Sequence, residues 1–347
     1  MSSIATQLVD GIAQSSAEMF AQWENRFSLY PIFADALNNQ SIVSAGELQA
    51  LRKTSGRPVR IPTLIKDNVV LGGTRTCAVT GTESATAMTL VTWVTRTATM
   101  QISPVKNSDN YIDYSTEFAG RLKSIRKAMY AQFENDLVAG LIANKQQTNP
   151  APFFNGLTFR VEVPNADQNS LYDYLRTMME LNDYYGRYTV YSNTGARNLQ
   201  EFISRQGTNN ATNLSPQINM LNLYRSNRIV TGVGVEEQHF VTPEGALAFV
   251  PWNFTSQLMG ATSSFLDPRI IAKDTNEFFM QADDAFNISW DMHYVRNCSD
   301  TNLNGTRNSG NPTPVDSLEV SMDYAILTPY QSATPGQTSI FDFVLMA

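Results

Sequence analysis

The chain has 347 residues, 42% of them hydrophobic, enough apolar mass for one large domain or two to three smaller ones. A formal net charge of −7 and an isoelectric point near 5.0 exclude a general nucleic-acid-binding surface, though not a local basic patch. No apolar run approaches the roughly twenty residues of a membrane span, and the start, Met1-Ser2-Ser3-Ile4-Ala5-Thr6-Gln7, lacks the basic-then-apolar order of a secretory signal.

In residues 1–50, Ile4, Leu8 and Ile12 share one helical stripe, and Met19, Trp23 and Phe27 follow a similar one. Pro31 interrupts the pattern, and Ser44 to Leu48 is expected to start a short second helix. Both a packed helical hairpin and an arm that docks on a neighbour fit this segment.

Residues 57–105 read as two long strands around an irregular tip. Val59, Ile61, Leu64 and Val69-Val70-Leu71 lie on the outgoing side, and Gly72-Gly73, Gly81 and Ser84-Ala85-Thr86-Ala87 loosen the far end. The return strand is expected from Leu90 to Val105, closed by Pro104. A two-stranded ribbon is at best marginally stable alone in water. Its apolar residues, above all Trp93 and Met100, therefore need a covering surface, from the chain's own core or from a neighbour.

After the turn-like Asn107-Ser108-Asp109-Asn110, apolar residues recur at Phe118, Leu122, Ile125, Met129, Phe133 and Leu137, the period of one buried helical stripe. The predicted helix of roughly thirty residues, reaching Lys145, is about 45 Å long at about 1.5 Å per residue. At about 100° per residue, Lys123, Lys127 and Lys145 fall on another stripe, with Glu134 among them. A solvated face is one reading of these lysines and a face toward phosphate is the other.

Asn149-Pro150-Ala151-Pro152 ends that element, and a second unit of helices and strands follows. Leu171, Leu175, Met178-Met179 and Leu181 suit a helix, Tyr188 to Tyr191 a strand, and Asn198 to Gln206 another helix. Gly207 to Pro216 is a polar loop, while Arg228-Ile229-Val230 and Ala246 to Val250 read as strands. Residues 276–298 alternate as a long strand pair, Asp300 to Pro314 is a Gly/Asn/Pro loop, and Ser317 to Leu327 and Ile340 to Leu345 return as strands.

No catalytic, cofactor-binding or metal-ligating residue is expected from the sequence. His239 and His293 have no Cys or His partner at metal-ligand spacing, and Cys77 and Cys298 make no disulfide framework. Asp283-Asp284 and Asp300 read as solvated loop carboxylates. Gly72-Gly73 and Gly232-Val233-Gly234 open no evident helix and carry no phosphate-loop lysine, so both read as turns. Asn-x-Ser/Thr triplets such as Asn253-Phe254-Thr255 follow from a composition rich in Asn, Ser and Thr.

The order ribbon, long helix, compact α/β unit and long returning strands resembles the major capsid protein of tailed bacteriophages, the Hong Kong 97 phage fold. The local likeness lies in Met100-Gln101-Ile102-Ser103-Pro104-Val105 leading into Tyr111-Ile112-Asp113-Tyr114, in Glu134-Asn135-Asp136-Leu137, and in Asp323-Tyr324-Ala325-Ile326-Leu327. The resemblance implies an α+β fold with an N-terminal arm (1–56), an extended two-stranded loop (57–105), a peripheral domain with a spine helix (106–165), an axial domain (166–260) and return strands to the peripheral domain (261–347). It implies a structural protein, not an enzyme, needing no cofactor, that assembles in the host cytoplasm into hexamers and pentamers of an icosahedral virion shell. The implied partners are a separate scaffolding protein, or none, together with a portal, decoration proteins and weakly held double-stranded DNA, with no membrane. Trp23, Trp93 and Met100 become inter-subunit contact candidates, and Lys123, Lys127 and Lys145 lumen-facing candidates. Some family members cross-link a ribbon lysine to a neighbour's asparagine; Lys66 lies on the ribbon, but no asparagine pairs with it by motif. The alternatives are a β-rich virion adhesin or receptor-binding protein, suggested by the Thr/Asn-rich strands, and an enzyme whose site carries no sequence signature.

Overall fold

The computed structural model describes residues 11, 30–38, 60–64, 86–90, 92–102, 111–148, 152–182, 184–196, 221–253, 276–283, 286, 288–298, 314–328 and 338–347. In chain order, helix α1 (Pro31–Asn38) precedes strands β1 (Arg60–Leu64), β2 (Thr86–Leu90) and β3 (Val94–Ile102) and the long helix α2 (Tyr111–Ala143). Strands β4 (Phe154–Asn155) and β5 (Arg160–Val163), helix α3 (Leu171–Leu181), and strands β6 (Tyr188–Asn193), β7 (Leu221–Ser226), β8 (Val235–Pro243) and β9 (Ala248–Trp252) follow. The last strands are β10 (Asn276–Asp283), β11 (Ile288–Cys298), β12 (Pro314–Leu327) and β13 (Phe341–Met346). The chain packs as two compact units, the first of Met1–Leu29, Trp93–Phe133 and Val250–Ala325, the second of Tyr30–Thr92, Glu134–Phe249 and Ile326–Ala347.

The first unit is built on an antiparallel sheet in the order β10-β11-β12-β3, with β9 also paired to β12. Strand side chains alternate between faces, and the register sets Tyr294, Leu318 and Met100 in one row of the inner face. Trp290, Met292, Val320, Met322, Tyr324 and Ile102 complete that face, all buried. Against it lies α2, with Phe133 stacked on Trp290 at 5.8 Å and edge-on to Tyr324 at 4.9 Å, and with Tyr130 edge-on to Trp290 at 5.3 Å.

The expected apolar stripe of α2 is present with one exchange. Phe118, Leu122, Met129 and Phe133 are buried as their spacing requires, but Arg126 is fully buried while Ile125 is only half-buried. Residue 126 stands one helical turn beyond Leu122, at the centre of the buried face, and a long methylene stem lets arginine occupy such a place. The helix ends at Ala143, short of Lys145; Asn144 stops it, its backbone N–H and its Nδ2 both donating to the Gly140 carbonyl at 3.1 and 2.9 Å.

The second unit holds a mixed sheet in the order β4-β5-β13-β8-β6-β7, with β13–β5 and β6–β7 parallel and the other pairs antiparallel. Helix α3 covers one face, where Leu171, Leu175, Met178 and Met179 pack with Val163, Val190, Val241, Phe341, Phe343 and Leu345. On the opposite face Tyr191 donates from its hydroxyl to Asp35 Oδ2 of α1 at 2.6 Å. Pro31, expected only to break a helix, starts α1: its fixed φ and missing N–H suit the first turn, and the Ala34 N–H bonds the Tyr30 carbonyl at 3.0 Å.

Two strand expectations are corrected, and β8 is a strand the pattern did not show. The continuous return strand from Leu90 to Val105 divides: β2 pairs with β1 in a two-stranded sheet, Arg60 opposite Leu90 and Leu64 opposite Thr86, while β3 joins the antiparallel sheet of the first unit. Residues 228–230 form a turn, with Val230 81% exposed, and the preceding Leu221–Ser226 is the strand instead. Strand β8 escaped the pattern because Glu236, Glu237 and Gln238 interrupt its apolar residues, yet Glu237 and Gln238 are buried. The helices expected at 44–48 and 198–206, the ribbon tip at 65–85 and the loop containing Asp300 lie outside the described residues.

Candidate functional site

The contact candidates separate by position. Trp93 is half-buried in the first unit, its ring 5.9 Å from that of Trp252. Met100 is 7% exposed on the inner face, so the chain's own sheet and helix cover it, contrary to an exposed ribbon residue. The reason is the division of the return strand, which carries Met100 into the sheet instead of the ribbon. Trp23, Lys66 and Cys77 lie outside the described residues, and Cys298 ends β11 opposite Pro314.

Along the edge strand β3, Thr99, Met100 and Gln101 face Glu117, Gly120, Arg121, Ser124 and Ile125 of α2 across an open groove of about 710 Å³. Arg121 bridges it, donating from Nη1 to the Gln101 carbonyl at 2.8 Å while Nη2 pairs with Glu117 at 2.6 Å.

Of the three lysines placed on one stripe, Lys127 is exposed and Lys123 half-buried on α2. Lys145 lies past the helix end, and its Nζ donates to the Thr158 carbonyl at 2.6 Å and to Asp342 Oδ2 at 3.2 Å. Its charge is therefore engaged within the second unit. Arg160 Nε also donates to Asp342 Oδ2 at 2.9 Å, and Gln238 Nε2 to Oδ1 at 3.0 Å. Asp342 thus sits fully buried with both oxygens bonded, the condition under which a buried charge is tolerated.

Glu134, expected on the lysine stripe, is instead fully buried. Ser226, at the end of β7, donates from Oγ to Glu134 Oε1, the Phe33 backbone N–H approaches the carboxyl, and Arg228 attracts it through space. Burial pushes this carboxyl up to about 7, with Ser226, Arg228 and the Phe33 N–H pulling the other way. Nearby, burial also raises Asp35, while Tyr191 and Tyr224 hydrogen-bond to it and pull it down.

One arrangement has the outline of a nucleophilic relay. Ser192 Oγ lies 2.8 Å from His239 Nδ1, and His239 Nε2 lies 3.1 Å from Glu237 Oε2. Ser192 and His239 are fully buried and the imidazole is edge-on to Tyr172 at 5.9 Å, so a substrate carbonyl has no path to the hydroxyl. The relay joins β6 to β8 inside the core. The signal that could have found it is a lone histidine in the apolar run His239-Phe240-Val241, where burial requires partners for both ring nitrogens.

No group of three or more His, Cys, Asp or Glu side chains suited to a metal ion occurs among the described residues, and no described helix is long and apolar enough to cross a membrane. Apolar side chains do reach the surface at turns of the second unit: Leu157 between β4 and β5, Val230 and Val233 between β7 and β8, and Tyr185 after α3.

No protein-family model and no curated protein sequence matches the chain. Among solved structures, the chain is similar to a protein of Mycobacterium phage Che8 at 13% identity, covering 90% of each chain with a TM-score of 0.45. It is similar to a protein of the capsid of the cyanophage P-SCSP1u at 12% identity, covering 84% of each chain with a TM-score of 0.40. A third likeness is to a protein of the satellite phage P4 procapsid, at 9% identity, covering 84% of this chain and 90% of the other with a TM-score of 0.33.

Proposed function

We propose that the chain is the major capsid protein of a tailed phage, self-assembling through hexamers and pentamers into an icosahedral head shell around double-stranded DNA. The observation that carries this reading is the ribbon β1–β2, two five-residue strands that pair only with each other among the described residues. Two such strands cannot hold themselves together in water, and a neighbouring subunit supplies the missing surface. The apolar turns at Leu157, Val230, Val233 and Tyr185 supply further contacts of the same kind. Each contact need bury only about 1,200–2,000 Å² to be specific, and repetition around every subunit makes the lattice stable.

In this reading residues 1–56 are an arm, 57–105 an extended loop whose last strand, β3, joins the first unit's sheet, 106–165 and 261–347 a peripheral domain, and 166–260 an axial domain. The exposed side of α2 at Lys123 and Lys127 faces the lumen. Scaffolding, portal and decoration proteins are its expected partners in the virion. Sedimentation velocity over a range of concentrations, with negative-stain microscopy of the fast fraction, tests the reading. Rings of five and six or closed particles are expected. A compact monomer at every concentration, even with a scaffolding protein or crowding agent, would overturn it, and a trimeric stalk would point to the adhesin.

A further inference from the structure

Among its described side chains, helix α2 carries one fully buried acid, Glu134, whose burial favours the neutral form although its hydrogen bonds favour the charged one. The Glu134 carboxyl receives one hydrogen bond from an uncharged hydroxyl, Ser226 Oγ, and one from a backbone N–H, Phe33, while Arg228 acts on it only through space. By contrast Asp342, equally buried, touches Lys145 and Arg160 directly. A buried carboxylate without a contacting cation is held neutral more readily than one with a cation beside it. Three parts of the second unit meet at this carboxyl: the start of α1, the turn after β7, and the last turns of α2 from Glu134 onward.

We infer that Glu134 is a proton-operated latch of the second unit: neutral, it lets α2 seat against α1 and the β7 turn, and ionised, it loosens that seat. Among the described residues, few charged and titratable groups face it. From the start of α1 comes Tyr30, which burial raises, Arg228 lowers and Glu134 raises. From the β7 turn comes Arg228. Asp35, farther along α1, is turned to Tyr191 and Tyr224. The midpoint of about 7 places the change near neutrality, so a modest shift of pH moves the population.

The sign follows from linkage. The folded carboxyl binds its proton more tightly than the unfolded one, whose ordinary value is 4.5. Its stabilising contribution is therefore full below 4.5 and is lost as the pH rises through about 7. The latch is a property of the single chain and does not rest on the shell reading, so its failure would leave that reading standing.

The test is urea unfolding of the full-length chain and of Glu134→Gln from pH 5 to 8.5, at concentrations too low for assembly. Glutamine keeps the shape and the Ser226 bond but cannot ionise. The folding equilibrium of the wild type should fall relative to the variant by on the order of 100-fold between the acid and alkaline ends. A second measurement stands if the glutamine variant does not fold: the infrared band of a protonated carboxyl in the wild type should titrate near neutrality. In Ser226→Ala its midpoint should move upward, because a bond favouring the ionised form has been removed. A pH-independent ratio, or a carboxyl band whose midpoint does not move in Ser226→Ala, overturns the latch.

Discussion

The two units bury a sheet face with different chemistry, rings dominating the helix–sheet contact of the first although Arg126, Asp291, Asp316 and Asp323 are buried in that unit too. In the first, α2 seals its sheet with rings: Tyr130, Phe133, Trp290 and Tyr324 stack and meet edge-on at 4.9 to 5.8 Å. In the second, one sheet face is apolar under α3, but the same strands β6, β8 and β13 also hold Ser192, Glu237, Gln238, His239 and Asp342 in the interior. Burial of uncharged rings involves no group that titrates near neutrality, whereas a buried polar network is stable only while each partner keeps its bond. The first unit should therefore respond to lost volume, and the second to lost charge or a lost proton.

Deleting a ring from the first unit gives the largest expected effect. Trp290 is fully buried between Tyr130 and Phe133, so Trp290→Ala should cost about 3–5 kcal/mol in urea unfolding. The loss should be the same at pH 6 and pH 8; a loss that changed with pH would erase the distinction between the units.

Next comes the second unit's charge centre. Asp342→Asn keeps the shape but withdraws the carboxylate from Lys145, Arg160 and Gln238, and should cost about 1.5–3 kcal/mol. Combined with Arg160→Gln the losses should be far from additive, because both substitutions break one bond. Additive losses would show that the two side chains do not share their energy.

A smaller effect belongs to Trp93, whose half-buried ring meets Trp252. The ring pair is worth about 0.5–1.5 kcal/mol beyond its area. Trp93→Asp should leave a folded monomer by circular dichroism and block assembly, since a charge would meet an apolar contact surface. Unfolding of the monomer, with normal assembly of the surviving fraction, would assign Trp93 wholly to the first unit's core.

The smallest change in stability is expected at the surface of α2. Lys123→Glu with Lys127→Glu should alter unfolding by under about 0.5 kcal/mol. Empty shells should form normally, while filled particles fall in yield, most at low salt where screening is weak. Equal yields of full and empty particles at every salt concentration would leave these lysines as a solvated face.

What the sequence determined by itself is the periodic part. The steps from Phe118 to Phe133 define the buried face of a helix that runs to Ala143, and the alternation in 276–298 and 317–327 defines three long strands. Period is a local property, so neighbours in the chain suffice to read it. Tertiary structure decided which partner each element took. Nothing between Leu90 and Val94 announces that the first strand pairs with β1 and the second with β12, because pairing is chosen by contacts far away in the chain. It also decided which polar residues went inside. Arg126, Glu134, His239 and Asp342 are typed as surface residues by composition. Glu134, His239 and Asp342 meet Ser226, Ser192 and Lys145 from distant parts of the chain, and no local pattern encodes that meeting.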